Sequence, residues 1–431
     1  MKRTKEFVFA FFFGLAVAIG VYTASQTVMY WPFLNIQNKI DDSHFFRRFM
    51  FRGADGHKTD DIVIVDIDDK TLESYKAVYG DFKNWPRSLF AWIIRDINRD
   101  GARLVFLDAI LVGQNLTNDV LAELIKNADN VIAGYYFNLY ARSKNHRPLD
   151  PVYNERFFEN WIGPRYLGKK DFIVAKQIVF PYYQLTFSAK SLGFTNYVPD
   201  PDGILRHIPL YIKYRDRLYP SVGLQIWRHI KGLHHSEAAN SSNGIRFGDT
   251  FIPTDKHCFM RLNFIASQPV YPTVSFEDVL EGRFKENTFR NKIVMIGSSS
   301  VKLGDLKRIP GYNKLPGVEI HATAVSNLLN EKFLTVLSGN TVFVITLVCG
   351  VFSSLLFSFV PPIKVGMPLA VCIPLAFYIY AIYSFITQSK LINISIPSFV
   401  ILLLYIVIVI HRFVEKEEKK GVSNRVSEVS T

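Results

Sequence analysis

The chain has 431 residues, of which 49% are hydrophobic, 14% aromatic and 20% charged. That balance excludes a disordered protein and is too apolar for an ordinary soluble enzyme. The net charge is +12, but part of the basic excess flanks apolar ends (Lys2, Arg3, Lys5, then Arg412, Lys416, Lys419, Lys420), and without a basic-aromatic motif it does not point to nucleic acid.

Phe7 to about Tyr22 is continuously apolar and fades through Thr23–Val28 into Met29-Tyr30-Trp31. After a short N-terminus at 1–6, the spacing predicts a transmembrane signal anchor over 7–29, with Tyr30 and Trp31 at the membrane interface. Thr23-Ala24-Ser25 is only a weak cleavage site, so an uncleaved anchor is expected. His44–Arg52 mixes aromatics with arginines and reads as an amphipathic lead-in. Asp61–Asp68, Arg103–Leu107 and Asn130–Gly134 read as strands, and Ser88–Arg99 and Asp119–Asn127 as helices. Strand, helix, strand, helix, strand predicts a mixed α/β domain with a mostly parallel sheet flanked by helices. Tyr135 to about Tyr183 is irregular and reads as an insertion over the sheet. Ile204–Tyr214 with Arg217–Ser221 predicts a hairpin, and Gly244–Asn263 a second one turning at Gly248-Asp249. Lys292–Gly297 is a late buried strand, and Glu319–Leu329 a helix with almost no linker to the next apolar run.

Three further runs, 341–360, 365–387 and 393–413, are each long enough to span a bilayer. Pro368, Pro374 and Pro397 are tolerable there. The extracytoplasmic domain is thus expected over 30–339, with its core at 60–335, and a short tail at 414–431. Basic flanks before the first span and after the last place both termini in the cytoplasm. Gly350, Ser353, Ser354 and Ser384 would offer packing faces to another membrane protein. Of three cysteines, Cys349 and Cys372 lie in apolar runs and Cys258 stands alone, so an intramolecular disulfide in the domain is not expected; no Cys/His set has zinc spacing.

Asp66 and Asp68 are two apart on a strand and so are expected on one face. They end a parallel strand, where open α/β sheets place ligand crevices, and Asp108 ends its neighbour. Arg87, Asp305 and His321 could converge on the same rim as a small-ligand site; Asp66, Asp68 and Asp108 would be the oxygen ligands if a cation binds. The alternative is structural, with aspartates capping helices or pairing with Arg87. Gly297-Ser298-Ser299-Ser300 could present backbone N–H groups to an anion or simply turn into a helix. Position 301 is Val, which breaks the Gly-x-Ser-x-Gly hydrolase pattern. His321 also suits a packing role, and Trp85, a further candidate, suits seating the helix after Pro86. Without a P-loop, GxGxxG or HExxH motif, the residues point to no catalytic group and no cofactor.

Several stretches together resemble the second class of CHASE domains, which are bacterial extracellular sensory modules. They are Ile64–Asp69, Trp85-Pro86-Arg87, Gly101-Ala102 with Phe106-Leu107-Asp108, and Gly193-Phe194 with Asp200-Pro201-Asp202-Gly203, Arg206 and Pro209. Tyr219-Pro220-Ser221, Lys292–Gly297, Leu303-Gly304-Asp305, Pro310 and Leu315 to Ala322 complete the set, which covers roughly 60 to 335. The resemblance implies a multi-pass protein of a bacterial inner membrane with its domain in the periplasm. Relatives of this kind carry a cytoplasmic cyclase or kinase, whereas only VEKEEKKGVSNRVSEVST follows Phe413. The expected function is therefore not enzymatic: an accessory protein that regulates or stabilises another inner-membrane complex. The alternatives are a periplasmic solute or cation sensor signalling through a separate kinase or cyclase and, more weakly, a hydrolase using the aspartates. A homo-oligomer is compatible with either non-enzymatic role.

Overall fold

The computed structural model describes residues 2–52, 61–113, 115–139, 167, 170–241, 243–266, 269–311 and 314–429. It divides into two units, one made of Met1–His44 with Thr335–Thr431, the other of Phe45–Leu334.

The second unit is built on a seven-stranded sheet. Its strands are β1 (Ile62–Asp66), β2 (Leu104–Leu107), β3 (Val131–Asn138), β4 (Gln177–Val179), β5 (Ser191–Phe194), β6 (Thr273–Ser275) and β7 (Ile293–Gly297). They run in the order β6-β1-β7-β2-β3, with β5 parallel on β3 and β4 antiparallel against the end of β3. All the other pairs are parallel.

β1, β2 and β7 are buried along their whole length, and apolar but for Asp66 at the end of β1, because both faces are covered. Val63, Val65, Val105, Leu107, Val294 and Ile296 belong to one core, and Ile62, Ile64, Leu104, Phe106, Ile293 and Met295 to the other. The first core lies under α1 (Asp69–Tyr79), α2 (Arg87–Arg99) and α3 (Asn118–Ala128), the second under α4 (Val222–Lys231) and α5 (Gly317–Leu329). The result is a helix–sheet–helix sandwich, the mixed α/β architecture expected.

Several local expectations need correction. The segment 204–214 is not one hairpin arm: Tyr211–Tyr214 pairs with Arg217–Pro220, but His207–Pro209 pairs with Phe259–Arg261. Gly244–Phe247 and Thr250–Pro253 do form the second hairpin, and Phe259–Arg261 leaves it for that other pairing. The proposed insertion begins with strand, since β3 continues to Asn138. Its middle, 140–166, lies outside the described residues.

The first unit contains four helices long and apolar enough to cross a membrane: Thr4–Gln26, Gly339–Phe359, Pro362–Gln388 and Ser395–Gly421. Gly14 and Gly350 let the first two approach closely, because a Cβ on Gly14 would lie 2.5 Å from the Gly350 carbonyl oxygen. Ser353, Ser354 and Ser384 are buried within this unit. The small residues expected to face another membrane protein are instead consumed by packing inside the bundle. Gln37 fastens the turn into the last helix, its Oε1 accepting from Ile394 N at 3.1 Å and Ser395 N at 3.2 Å. That helix runs from Ser395 to Val429, so much of the expected tail is helical.

Candidate functional site

β1, β2 and β7 end together at Asp66, Leu107 and Gly297, and side-chain alternation sends Asp66, Asp108 and Gly297 toward the layer of α5. β1 stops at Asp66, and Asp68 serves as N-cap of α1 on the opposite layer, accepting from Thr71 N at 2.7 Å. The expected shared face of Asp66 and Asp68 therefore does not exist: the strand period ends before Asp68 is reached.

The Ser298–Ser300 turn does bind an anion, but an internal one. Ser299 N donates to Asp66 Oδ1 at 2.7 Å and Ser299 Oγ donates to Asp66 Oδ2. Ser298 Oγ donates to the Ile67 carbonyl at 2.7 Å, and Ser300 Oγ donates to Asp69. Burial raises the Asp66 carboxyl above its ordinary range against the opposing pull of the Ser299 bonds. Gly297 presents no N–H to a ligand. It is Gly because a Cβ there would lie 2.7 Å from Val318 Cβ, where α5 crosses β7.

Trp85 and Arg87 go to the other layer. Trp85 is fully buried among Tyr75, Phe82 and Phe276, with ring centroids 5.2, 5.1 and 6.0 Å away. Arg87 is buried and donates through Nη2 to the Val112 carbonyl at 3.3 Å. Neither joins the aspartates. Among the described residues no group of three or more His, Cys, Asp or Glu could hold a metal ion, so Asp66, Asp68 and Asp108 are not a ligand set.

What remains is a cleft of about 500 Å³ beyond the ends of β2, β5 and β7. Asp108, Tyr136, Asn196, Tyr197, Ser298 and Asp305 are among its lining residues. Burial, then the nearby Asp305, pushes the Asp108 carboxyl up to about 8, with Lys307 pulling the other way. Asn196 is positioned as if it were one more sheet residue: its Oδ1 accepts from Phe137 N and its Nδ2 donates to Phe137 O, both at 2.7 Å. Tyr197 donates to the Gly317 carbonyl at 2.7 Å and stacks on His321, with centroids 4.8 Å apart. His321 is fully buried behind this wall, and burial lowers it to about 3, so the imidazole is neutral.

Two residues before His321 on α5, Glu319 is buried against the Val270 and Tyr271 backbone, and desolvation raises it to about 7. Glu319, Tyr197, Asn196 and Lys307 were not among the sequence candidates. The usable signal was position: Asn196-Tyr197 follows the strand ending at Phe194, and Glu319 lies two residues before His321.

The glycine-to-helix crossing and the aspartate-filled serine turn are thus assembled from stretches singled out in the sequence, and the cleft at the sheet's carboxyl edge adds Tyr136, Asn196 and Tyr197 to them. The CHASE2 domain model matches residues 13–356. The chain belongs to the CHASE2 family. The match is wider than the 60–335 expected from the motifs, reaching into the first span at one end and the second at the other, so the CHASE2 region takes in membrane helix as well as the sandwich. No curated protein and no solved structure matches the chain. A CHASE2 sensory domain joined to four apolar helices makes this a membrane sensor protein.

Proposed function

We propose that the protein is a multi-pass sensor of a bacterial inner membrane whose periplasmic CHASE2 domain binds a small solute in the cleft at the carboxyl edge of the sheet. The single observation carrying this is the cleft itself: its size suits a small organic molecule, and it lies where open α/β sheets bind ligands. The chain then runs from Leu329, the end of α5, to the span at Gly339 within ten residues, a short path for passing occupancy to the membrane. The basic flanks at Lys2, Arg3 and Lys5 and at Arg412, Lys416, Lys419 and Lys420 support cytoplasmic ends.

The domain binds rather than transforms its ligand. In support, the Ser298, Ser299 and Ser300 hydroxyls are all engaged by Ile67, Asp66 and Asp69, and His321 is sealed away from them as a base. No cofactor enters this reading. The signal passes to another inner-membrane protein, and an accessory role that stabilises such a partner is the second reading. Its support is the outward row Val344, Val348 and Phe352 on one helix, which would meet lipid, a partner or a second copy.

The test measures the thermal stability of the full chain in nanodiscs with and without the small-molecule fraction of periplasmic extract. A ligand selective for the folded state must raise apparent stability. Stabilisation that disappears when Leu303→Trp fills the cleft is expected; stabilisation unaffected by that change, or none at all, overturns the reading. Single cysteines at Glu286 and Lys416 should react with an impermeant maleimide from opposite sides of the membrane.

A further inference from the structure

We infer that the cleft is built for a small organic cation, a molecule whose ammonium group sits on the Asp108 carboxyl between the walls formed by Tyr136 and Tyr197. This deepens the solute-sensing reading and rests on it.

The Asp108 backbone N–H donates to the Ile296 carbonyl at 2.8 Å, but its carboxyl makes no hydrogen bond or ion pair among the described residues, although it lines the cleft and is only partly exposed. A carboxylate taken from water without a partner is costly, and a ligand supplying the opposite charge removes that cost. The charged and titratable groups facing it are few. Asp305 and Lys307 come from the segment after β7, Tyr197 from the segment after β5, and neutral His321 from α5.

The same wall already holds one ammonium. Lys307 Nζ lies 3.0 Å from Asp305 Oδ1 and 5.3 Å from the centroid of the Tyr197 ring, a carboxylate and an aromatic ring together. That combination is the usual recognition chemistry for amines. Lys307 satisfies Asp305 and leaves Asp108 unmatched. An anionic ligand finds less here, because Ser299 N is taken by Asp66 and Ser300 N by Ser298 Oγ. The cleft is also too large for a bare ion, and no metal-ligand group occurs among the described residues.

Because Asp108 titrates near 8, an ammonium bound at neutral pH must displace its proton. As pH increases toward that value, amine affinity should climb about tenfold per unit, and above it level off.

Isothermal titration of the full chain in detergent with n-butylamine and 1,4-diaminobutane, against n-butanol and butyrate, tests this. The amines are expected to bind with proton release, and the neutral and anionic probes to fail. Asp108→Asn, nearly isosteric, should weaken amine binding at least tenfold. Lys307→Gln, which removes a competing ammonium, should tighten it; a merely structural lysine would not act in that direction. Amine binding equal in wild type and D108N overturns the assignment. So does binding of n-butanol or butyrate in place of the amines, an outcome that leaves solute sensing intact. If none of the four probes binds, the cation assignment falls alone; solute sensing falls with it only when the extract also fails to stabilise the chain.

Discussion

Asp66 and Ser299 form a closed pair in which the backbone N–H and the hydroxyl of the serine both donate to one carboxylate, the N–H at 2.7 Å from Oδ1. The turn after β7 is thereby tied to the end of β1, the strand beside it. Replacing Asp66 by Ala removes the acceptor and leaves a part-buried N–H without its partner. The expected loss is about 1–3 kcal/mol of folding stability. Asp66→Asn keeps one acceptor and should lose less. Thermal or chaotrope denaturation of the two variants checks the order; an unchanged midpoint in D66A would show that the turn holds without its internal anion.

The close crossing of α5 over β7 yields a second expectation. Ala at position 297 would place its Cβ 2.7 Å from Val318 Cβ, so the helix must move outward or the side chain must leave its rotamer. Such overpacking typically costs about 1–3 kcal/mol. Val318→Ala keeps that Cβ but removes Cγ2, the other close contact at 2.8 Å, so the double variant should recover part of the loss. A double-mutant cycle with no coupling would place the need for Gly297 elsewhere.

The central strands were legible in the residues because a sheet covered on both sides needs uninterrupted apolar runs, and Asp61–Asp68, Arg103–Leu107 and Lys292–Gly297 have them. α2 showed through its helical apolar stripe. α1 and α4 were not read: α1 buries little beyond Thr71 and Leu72, and α4 directly follows a short strand with only Ser221 to mark its start. β5 and β6, of four and three residues, are too short for periodicity to distinguish from loop. The site was half legible. Asp108, Ser298 and Asp305 do line one cleft, as strand ends suggested. Trp85 and Arg87 were misplaced because position along the chain does not say on which layer a helix packs. Asp68 was misplaced because the alternation was carried two residues past the strand.

Asp108 and Glu319 give the fold a pH signature whose sign follows from their direction of shift. Both carboxyls are raised by desolvation, to about 8 and about 7. Each keeps in the folded state a proton that the unfolded chain has already released. Their contribution is therefore most favourable in the acid range and is lost progressively as pH rises toward 7 and 8. Stability at pH 8 should fall below that at pH 5 by on the order of a few kcal/mol. Asp108→Asn should flatten the slope up to about pH 8, and Glu319→Gln only up to about pH 7. Equilibrium unfolding at a series of pH values decides it; a slope of the opposite sign in the wild type would mean that both groups are ionised and paired.

In the membrane unit the same logic of close approach applies at Gly14 and Gly350. A Cβ on Gly14 would lie 2.7 Å from Ser354 Cβ, and one on Gly350 would lie 2.6 Å from Ala18 Cβ. Small residues four apart on each helix, Gly14 with Ala18 and Gly350 with Ser354, make the contact a pair of small-xxx-small seams. Without a hydrophobic drive between helices in lipid, tight backbone packing is what holds them. Gly14→Val should push the first span off Gly339–Phe359 while leaving each helix apolar enough to insert. The expected readout is a full-length protein that still fractionates with membranes but loses a Tyr22→Cys to Gly339→Cys crosslink formed by a short bifunctional thiol reagent, designed from the Tyr22 Oη bond to the Gly339 carbonyl at 2.9 Å. Gly20→Val, at a position where a Cβ meets nothing within 4 Å, is the matched control and should leave the crosslink intact.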